Sequence, residues 1–393
     1  MTIWKKKSKI LVTCPKGVVP YLKTEIETLG FPVLYELDTA IQTEGSLADT
    51  MILNLHLRTT QRVLYLLETL PADTPGALYA RMNALPWEEL LHESGKDAYL
   101  CVTSIVDNSS ITDTRFVNVK AKDAIVDRIR DKCGLRPDSG PEKDKAVIHV
   151  YWKNDRAEVY LDTSGERLAR RGYRKIPLEA PMQETLAAAV IMATGWKPEE
   201  PLVNPMCGSG TIAIETALIA LGRAPGLLRN NYGFMYIKGF SDTLWQETRK
   251  KAKDKAIKKL PGKIIATDIS KSAVIAARQN AQTAGVDHLI EFVVCPCEKT
   301  AIPEQSGVII LNPPYGERMG DIKKLETTYQ GIGDFFKKTG GGYRGYIFTG
   351  NLDLAKKVGL RTKRRIILYN GDIECRLLEY ELYAGSRKNS EEK

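Results

Sequence analysis

The segment Asn312-Pro313-Pro314-Tyr315 carries the most chemistry in its residue types. Two consecutive prolines fix two φ angles and remove two N–H donors. Asn312, directly before Pro313, is pushed toward an extended backbone. The result is a stiff turn with exposed carbonyl oxygens. Such a turn suits an exocyclic amine of a nucleobase, a poor nucleophile because its lone pair is conjugated into the ring. The Asn312 side-chain oxygen and a proline carbonyl can accept both amine hydrogens, which turns the lone pair toward an electrophilic methyl group. Tyr315 can stack on the base, a contact worth about 1–3 kcal/mol. No strong base is needed, since the proton becomes acidic once the nitrogen is methylated, so catalysis is mostly positioning. A Pro-Pro pair also serves as a plain tight turn, and the rest of the chain decides between the two.

Upstream, Leu202-Val203-Asn204-Pro205-Met206-Cys207-Gly208-Ser209-Gly210-Thr211 reads as a strand, a glycine turn and the start of an apolar helix. Glycines there let a ligand approach the backbone, and the helix N-terminus offers free N–H groups. A dinucleotide-binding loop needs G-x-G-x-x-G and an acidic residue about 20 positions on. Here Ile212 and Ala213 follow Gly210, and the next acidic strand end, Asp268, comes 58 residues after it. The delay places a long insertion between about residues 221 and 262. The two oxygens of Asp268 can accept from a ribose diol; capping a buried helix is its structural alternative. Glycine loop, Asp268 and Asn-Pro-Pro-Tyr together point to methyl transfer from a sulfonium cofactor.

The elements that position these residues form an alternating pattern from about residue 185. Strands are expected at Pro201–Asn204, Lys263–Asp268, Ile290–Cys295, Val308–Asn312, Gly345–Thr349, Arg365–Tyr369 and Glu374–Tyr383. Helical segments separate the first four, which predicts a parallel sheet covered on both faces. Asn370-Gly371 is a type I′ turn signal, so the last two strands should be antiparallel.

Residues 1 to about 165 read as mixed α and β. A strand at Ile10–Thr13, a turn at Pro15-Lys16-Gly17 and a helix ending near Gly30 open the chain. Helices are expected around Thr50–Leu67, Trp87–His92 and Val119–Cys133, with a strand at Tyr99–Val106. Val147–Trp152 and Ala157–Leu161 flank a hairpin signal. Arg167, Arg170, Arg171, Arg174 and Lys175 then crowd between Gly165 and Gly172 and two prolines, which reads as a basic linker.

Composition bounds the rest. A chain of 393 residues makes two or three domains. Its 43% apolar content excludes a mostly disordered protein. No run of about 18 apolar residues exists, which excludes a transmembrane helix. Ile10-Leu11-Val12 after Lys5, Lys6 and Lys7 is too short for a signal-peptide core. Seven cysteines include no C-x-x-C pair, only Cys295-x-Cys297, and the chain has four histidines. The expectation is no metal, and reduced thiols in a cytoplasmic protein. An excess of nine positive charges suits an anionic partner.

Asn204-Pro205-Met206-Cys207-Gly208-Ser209-Gly210-Thr211 and Asn312-Pro313-Pro314-Tyr315-Gly316-Glu317-Arg318 resemble the bacterial large-subunit ribosomal RNA guanine-N2 methyltransferases that carry a THUMP domain. The resemblance extends to Cys14-Pro15-Lys16-Gly17, Arg170-Arg171-Gly172-Tyr173-Arg174 and Ala180-Pro181-Met182-Gln183-Glu184-Thr185. It implies an α/β fold of the class I, Rossmann-like methyltransferase type. Its mainly parallel sheet would end in an antiparallel hairpin, behind an α+β ferredoxin-like and THUMP RNA-binding region. The implied domains are a ferredoxin-like piece (1–45), THUMP (46–163), the basic linker (164–184), the methyltransferase domain (185–385) and a frayed tail (386–393). The implied cofactor is S-adenosyl-L-methionine, held by Asn204, Pro205, Cys207, Gly208, Gly210, Thr211, Asp268, Ile269, Cys297 and Asn312. Asn312, Pro313, Pro314 and Tyr315 would hold the target base. The family usually has Asp where this chain has Asn204, which brings no charge to the cofactor ammonium. It often has Asp where this chain reads Cys295-Pro296-Cys297-Glu298, near the expected adenine.

The implied partner is ribosomal RNA of the large subunit, with no membrane and no obligate protein partner. Arg170, Arg171, Tyr173, Arg174 and Lys175 adjoin both halves and are the expected RNA contacts, since phosphate contacts position the nucleic acid. The stretch from Arg249 to Lys259 is either a second basic surface or a solvated helix face. Two other readings stay open: an adenine-N6 methyltransferase acting on RNA or DNA, because Asn-Pro-Pro-Tyr serves either amine, and a non-catalytic RNA-binding assembly factor.

Overall fold

The computed structural model describes residues 3–108, 111, 113–176, 181–316, 322–339 and 341–383. The tail at 386–393 and Glu317 and Arg318 lie outside the described residues. The helices are α1 (Val19–Thr28), α2 (Asp49–His56), α3 (Pro75–Asn83), α4 (Trp87–Leu90), α5 (Thr114–Cys133), α6 (Glu184–Ala193), α7 (Thr211–Ala220), α8 (Asp242–Asp254), α9 (Lys271–Ala284), α10 (Ile322–Thr339) and α11 (Leu352–Lys356). Among the described residues no helix is long and apolar enough to cross a membrane. The chain divides into two units: Met1–Cys14, Leu22–Arg170 and Arg229–Ala252 make the first, and Pro15–Tyr21, Arg171–Leu228 and Lys253–Lys393 the second.

Unit 1 is built on β1 (Lys7–Thr13), β2 (Tyr35–Leu37), β3 (Ala40–Ser46), β4 (Arg62–Pro71), β5 (Tyr99–Asp107), β6 (Asp138–Ser139), β7 (Ala146–Lys153) and β8 (Arg156–Asp162). They form one sheet in the order β2-β3-β1-β4-β8-β7-β5-β6. Strand β4 joins the early and late strands, pairing Tyr65 with Ile10 and Leu64 with Asp162. This corrects the helix expected over Thr50–Leu67. Helix α2 stops at His56, Leu57 is extended, and Arg62 onward is strand. The apolar run Val63-Leu64-Tyr65-Leu66-Leu67 has no period of its own, so sheet pairing decides its conformation.

The segment Arg229–Ala252, inside the expected insertion, belongs to unit 1. Tyr232 stacks on Phe234 at 5.1 Å, and Trp245 meets both edge-on at 5.3 and 5.0 Å. Arg229 is buried and its guanidinium donates to the carbonyls of Ser164, Glu166, Arg167, Arg170 and Asn231 at 2.8–3.4 Å. One side chain thereby satisfies five carbonyls and fixes the chain over 164–170.

Unit 2 holds β9 (Leu202–Pro205), β10 (Ile264–Asp268), β11 (Ile290–Val294), β12 (Val308–Leu311), β13 (Arg344–Thr349), β14 (Arg364–Asn370) and β15 (Ile373–Glu381). Their order is β11-β10-β9-β12-β13-β15-β14, parallel through β13, with β15 antiparallel to both neighbours. The expected strands are present, with ends shifted by one or two residues. The hairpin differs in one respect. Asn370 pairs with Ile373 as the last residue of β14, so the loop is Gly371-Asp372. Gly371 alone has positive φ there, the type II′ pattern in place of type I′. Apolar cores cover both faces: Tyr329, Ile332, Phe335 and Phe336 on one, and Ala213, Ala217, Ala277 and Ala281 on the other. Strand order reverses between β9 and β12, and a crevice at their carboxyl ends is where such sheets bind ligands.

Candidate active site

The glycine loop leaves the end of β9 under backbone constraint. Met206 has φ 55°, unusual for a residue with a side chain, and Gly208 and Gly210 have φ 55° and 83°. A Cβ on Gly210 would lie 2.9 Å from that of Ala277, so glycine lets α9 pack against the loop. A Cβ on Gly208 would meet nothing within 4 Å, so that side of the loop is open. Asp268 ends β10 and ties the loop down: its Oδ2 accepts from the Gly208 N–H at 3.0 Å and its Oδ1 from the Ser270 N–H at 2.9 Å. Each oxygen keeps a further lone pair. Ile269, next to it, is 71% exposed. Pro205 and Thr211 are buried at either end of the loop. The Cys207 N–H donates to Thr267 O at 2.9 Å, and burial pushes its thiol pKa up. Cys297 lies in the core with Val203 and Ile265, its thiol raised to about 12 by burial.

Asn280 is a supporting residue that the sequence reading missed. It is fully buried on α9, accepts from the Lys175 and Ile176 N–H groups at 2.9 and 3.1 Å, and donates to Ile176 O and Ser209 O, both at 3.1 Å. The available signal was an asparagine on a helical face otherwise made of Val274, Ala273, Ala276, Ala277, Ala281 and Ala284.

Two asparagine oxygens stand out at the ends of β9 and β12. The Asn204 Nδ2 donates to Ile310 O at 2.8 Å, bridging β9 to β12 beyond their last paired residues, Val203 and Ile309. Its Oδ1 is buried without a hydrogen-bond partner, and so is the Oδ1 of Asn312. A buried, unpaired acceptor costs stability unless something outside the protein donates to it. Pro313 is buried, Pro314 exposed and Tyr315 half-buried. Burial raises the Tyr315 phenol to about 12, and its hydroxyl accepts from the Asn370 Nδ2 at 2.8 Å.

The basic segment divides into buried and exposed residues. Arg171 is buried, donating to Glu215 Oε1 at 2.8 Å and Oε2 at 3.2 Å. Tyr173 is equally buried and donates to Glu215 Oε1 at 3.2 Å. Arg174 is 15% exposed and spends its Nη2 on Met182 O at 2.6 Å and Thr211 Oγ1 at 3.1 Å. The polar ends of Arg171 and Tyr173 thus face a buried carboxylate of α7, and Arg174 reaches the first residue of that helix, while its Nε is buried without a hydrogen-bond partner. Arg170 and Lys175 are exposed. In the second basic stretch, Lys250, Lys251, Lys253, Lys255, Lys258 and Lys259 are exposed, but the helix ends at Asp254 and the two units divide after Ala252.

This strand order, with a glycine loop after β9 and Asn-Pro-Pro-Tyr after β12, defines a class I methyltransferase fold. The methyltransferase domain of the RMKL-like family matches residues 171–379, and the chain belongs to that family. An RlmL ferredoxin-like domain matches residues 9–64 and a THUMP domain residues 73–162. The ribosomal RNA large subunit methyltransferase K/L of Syntrophotalea carbinolica is 37% identical over 386 residues, covering 95% of this chain and 53% of that protein. The Methylococcus capsulatus protein of the same name is 35% identical, covering 94% and 50%. The chain thus spans about half the length of these curated relatives. Among solved structures, SMU.472 in complex with SAH is 28% identical with a TM-score of 0.84, over 97% of this chain and 99% of that one. A predicted N6-adenine-specific DNA methylase from Listeria monocytogenes is 30% identical with a TM-score of 0.85, over 96% of each chain.

Proposed function

We propose that this protein methylates the exocyclic N2 amine of a guanosine in large-subunit ribosomal RNA, using S-adenosylmethionine. The observation that carries the reading is the buried, unpaired Oδ1 of Asn312 at the carboxyl end of β12. An amine N–H is the donor it lacks. Asn312 and a proline carbonyl hold the amine, Tyr315 stacks on the base, and the stiff Pro313-Pro314 backbone keeps these groups in place before substrate arrives.

The open side of Gly208, the spare lone pairs of Asp268 and the unpaired Oδ1 of Asn204 fit the cofactor's methionine and ribose parts. When bound, it supplies an electrophilic methyl group. Asp268 accepts from its ribose hydroxyls, Asn204 accepts from its ammonium, and exposed Ile269 covers its adenine. The loop from Pro205 through Cys207 and Gly210 to Thr211, and the turn at Cys297, complete that side. Arg170 and Lys175 contact RNA phosphates, and the THUMP region docks the RNA. A flipped or single-stranded base then reaches Asn312.

Guanine is favoured by the resemblance over 204–211 and 312–318, and a large-subunit ribosomal RNA substrate by the names of the curated relatives. Adenine-N6 is the second reading, favoured by the Listeria protein's name and by a motif that accepts either amine. Asn312→Ala tests the shared chemistry. We expect turnover to fall by about 100-fold or more, the scale of losing one positioned hydrogen-bonding group. Cofactor Kd by calorimetry should change far less than turnover, by about tenfold at most, since Asn312 is one of many residues on that side. Wild-type turnover in this variant would refute the amine-holding role.

A further inference from the structure

We propose that Asn370 is a positioning residue for Tyr315, which makes the β14–β15 hairpin part of the target-base pocket. This rests on the reading that Tyr315 faces the base. In an Asn-Gly turn, asparagine is usually explained by its tolerance of positive φ. That explanation fails here. Asn370 ends β14, and among the described non-glycine residues only Asn154 and Met206 have positive φ. The backbone at 370 does not call for asparagine, but its side chain has a use. Its Nδ2 donates to the Tyr315 hydroxyl at 2.8 Å, with the Cys375 thiol at 3.8 Å from the same oxygen.

The ring is held elsewhere too. A Cβ on Gly350 would sit 3.1 Å from Cδ2 and Cε2 of Tyr315 and 3.0 Å from Cγ2 of Ile373. Any side chain at 350 would push the ring or the hairpin. Pro313 and Pro314 stiffen the backbone that carries Tyr315. The phenol is therefore fixed at its backbone by prolines, along its edge by Gly350 and at its hydroxyl by Asn370. A stacking platform held at both ends presents the base in one orientation.

A double-mutant cycle tests this. Asn370→Ala and Tyr315→Phe should each lower kcat about tenfold, the scale of one hydrogen bond's worth of orientation. Cofactor Kd should not change. The double variant should be no slower than either single one, because both remove the same contact. Multiplying losses, about 100-fold together, would overturn the proposal, as would a wild-type kcat for Asn370→Ala. A crystal structure of Asn370→Ala gives a readout free of substrate: the Tyr315 ring should shift or occupy several rotamers, and an unmoved ring would also overturn the proposal. If the wild-type protein transfers no methyl to RNA, the functional reading fails by itself, and the ring position still decides the tether.

Discussion

Arg171→Ala should destabilise unit 2 and leave RNA binding unaltered in the protein that remains folded. The guanidinium makes two hydrogen bonds, at 2.8 and 3.2 Å, to a Glu215 carboxylate whose side chain is wholly buried. Removing it leaves that carboxylate with the Tyr173 hydroxyl at 3.2 Å among its former partners. Breaking a buried pair from one side costs about 3–5 kcal/mol. For a unit of this size each kcal/mol moves Tm by about 2–4 °C, so the unit 2 transition should fall by about 6–20 °C. Scanning calorimetry measures this, with each transition assigned separately because a two-unit chain need not unfold in one step. Replacing both partners, Arg171→Met with Glu215→Leu, should restore most of the loss, since no charge is left unpaired. A single variant melting within about 2 °C of wild type, with weaker RNA binding, would refute the internal role and restore Arg171 to the RNA surface.

Three further outcomes are expected. Asp268→Ala frees the Gly208 and Ser270 N–H groups and removes the ribose acceptor, so cofactor Kd should rise about tenfold or more by calorimetry, two hydrogen bonds being at stake; an unchanged Kd would make Asp268 a structural cap. Arg170→Ala with Lys175→Ala should weaken RNA binding and reduce the slope of log K against log salt by about 1–2, one phosphate each, with unchanged Tm; an unaltered slope would remove both from the interface. His149 lies 2.9 Å from Thr103 Oγ1, and burial, then Arg62 and Lys143, lowers its pKa to about 4. The unfolded chain takes up a proton near pH 6.5 that the folded chain refuses, so this part of the stability falls as pH drops through 6.5 and levels off near 4. The loss is on the order of 3 kcal/mol. Urea midpoints across that range should show it in wild type, and His149→Gln should flatten it; an equal slope in both would contradict the assignment.

Much of the fold was legible because its signals are local. Alternating strand and helix patterns gave the sheet of unit 2, and Gly208, Gly210, Asp268 and Asn312 fell at strand ends where ligand chemistry belongs. What was not legible depends on distant partners. Arg171 has the composition of a surface linker, and its meaning is set by Glu215, 44 residues on. The Arg229–Ala252 segment reads as an insertion in the second half, yet its aromatic cluster and Arg229 build unit 1. Asn204 lacks the charge expected of its position, and the structure supplies a reason for an amide. Its Nδ2 donates to Ile310 O where β9 and β12 part, a bond an ionised aspartate cannot make. Strand β4 reads as helix in the sequence because Val63 to Leu67 are apolar throughout, and only pairing with β1 and β8 settles such a run.

The central claim is tested most directly by giving the protein labelled S-adenosylmethionine and ribosomal RNA from cells that lack its gene, then digesting the RNA to nucleosides. The account predicts label in N2-methylguanosine, lost with Asn312→Ala. Label in N6-methyladenosine would keep the amine-holding site and overturn the base. No label, with no cofactor binding, would contradict the assignment of this site to methyl transfer.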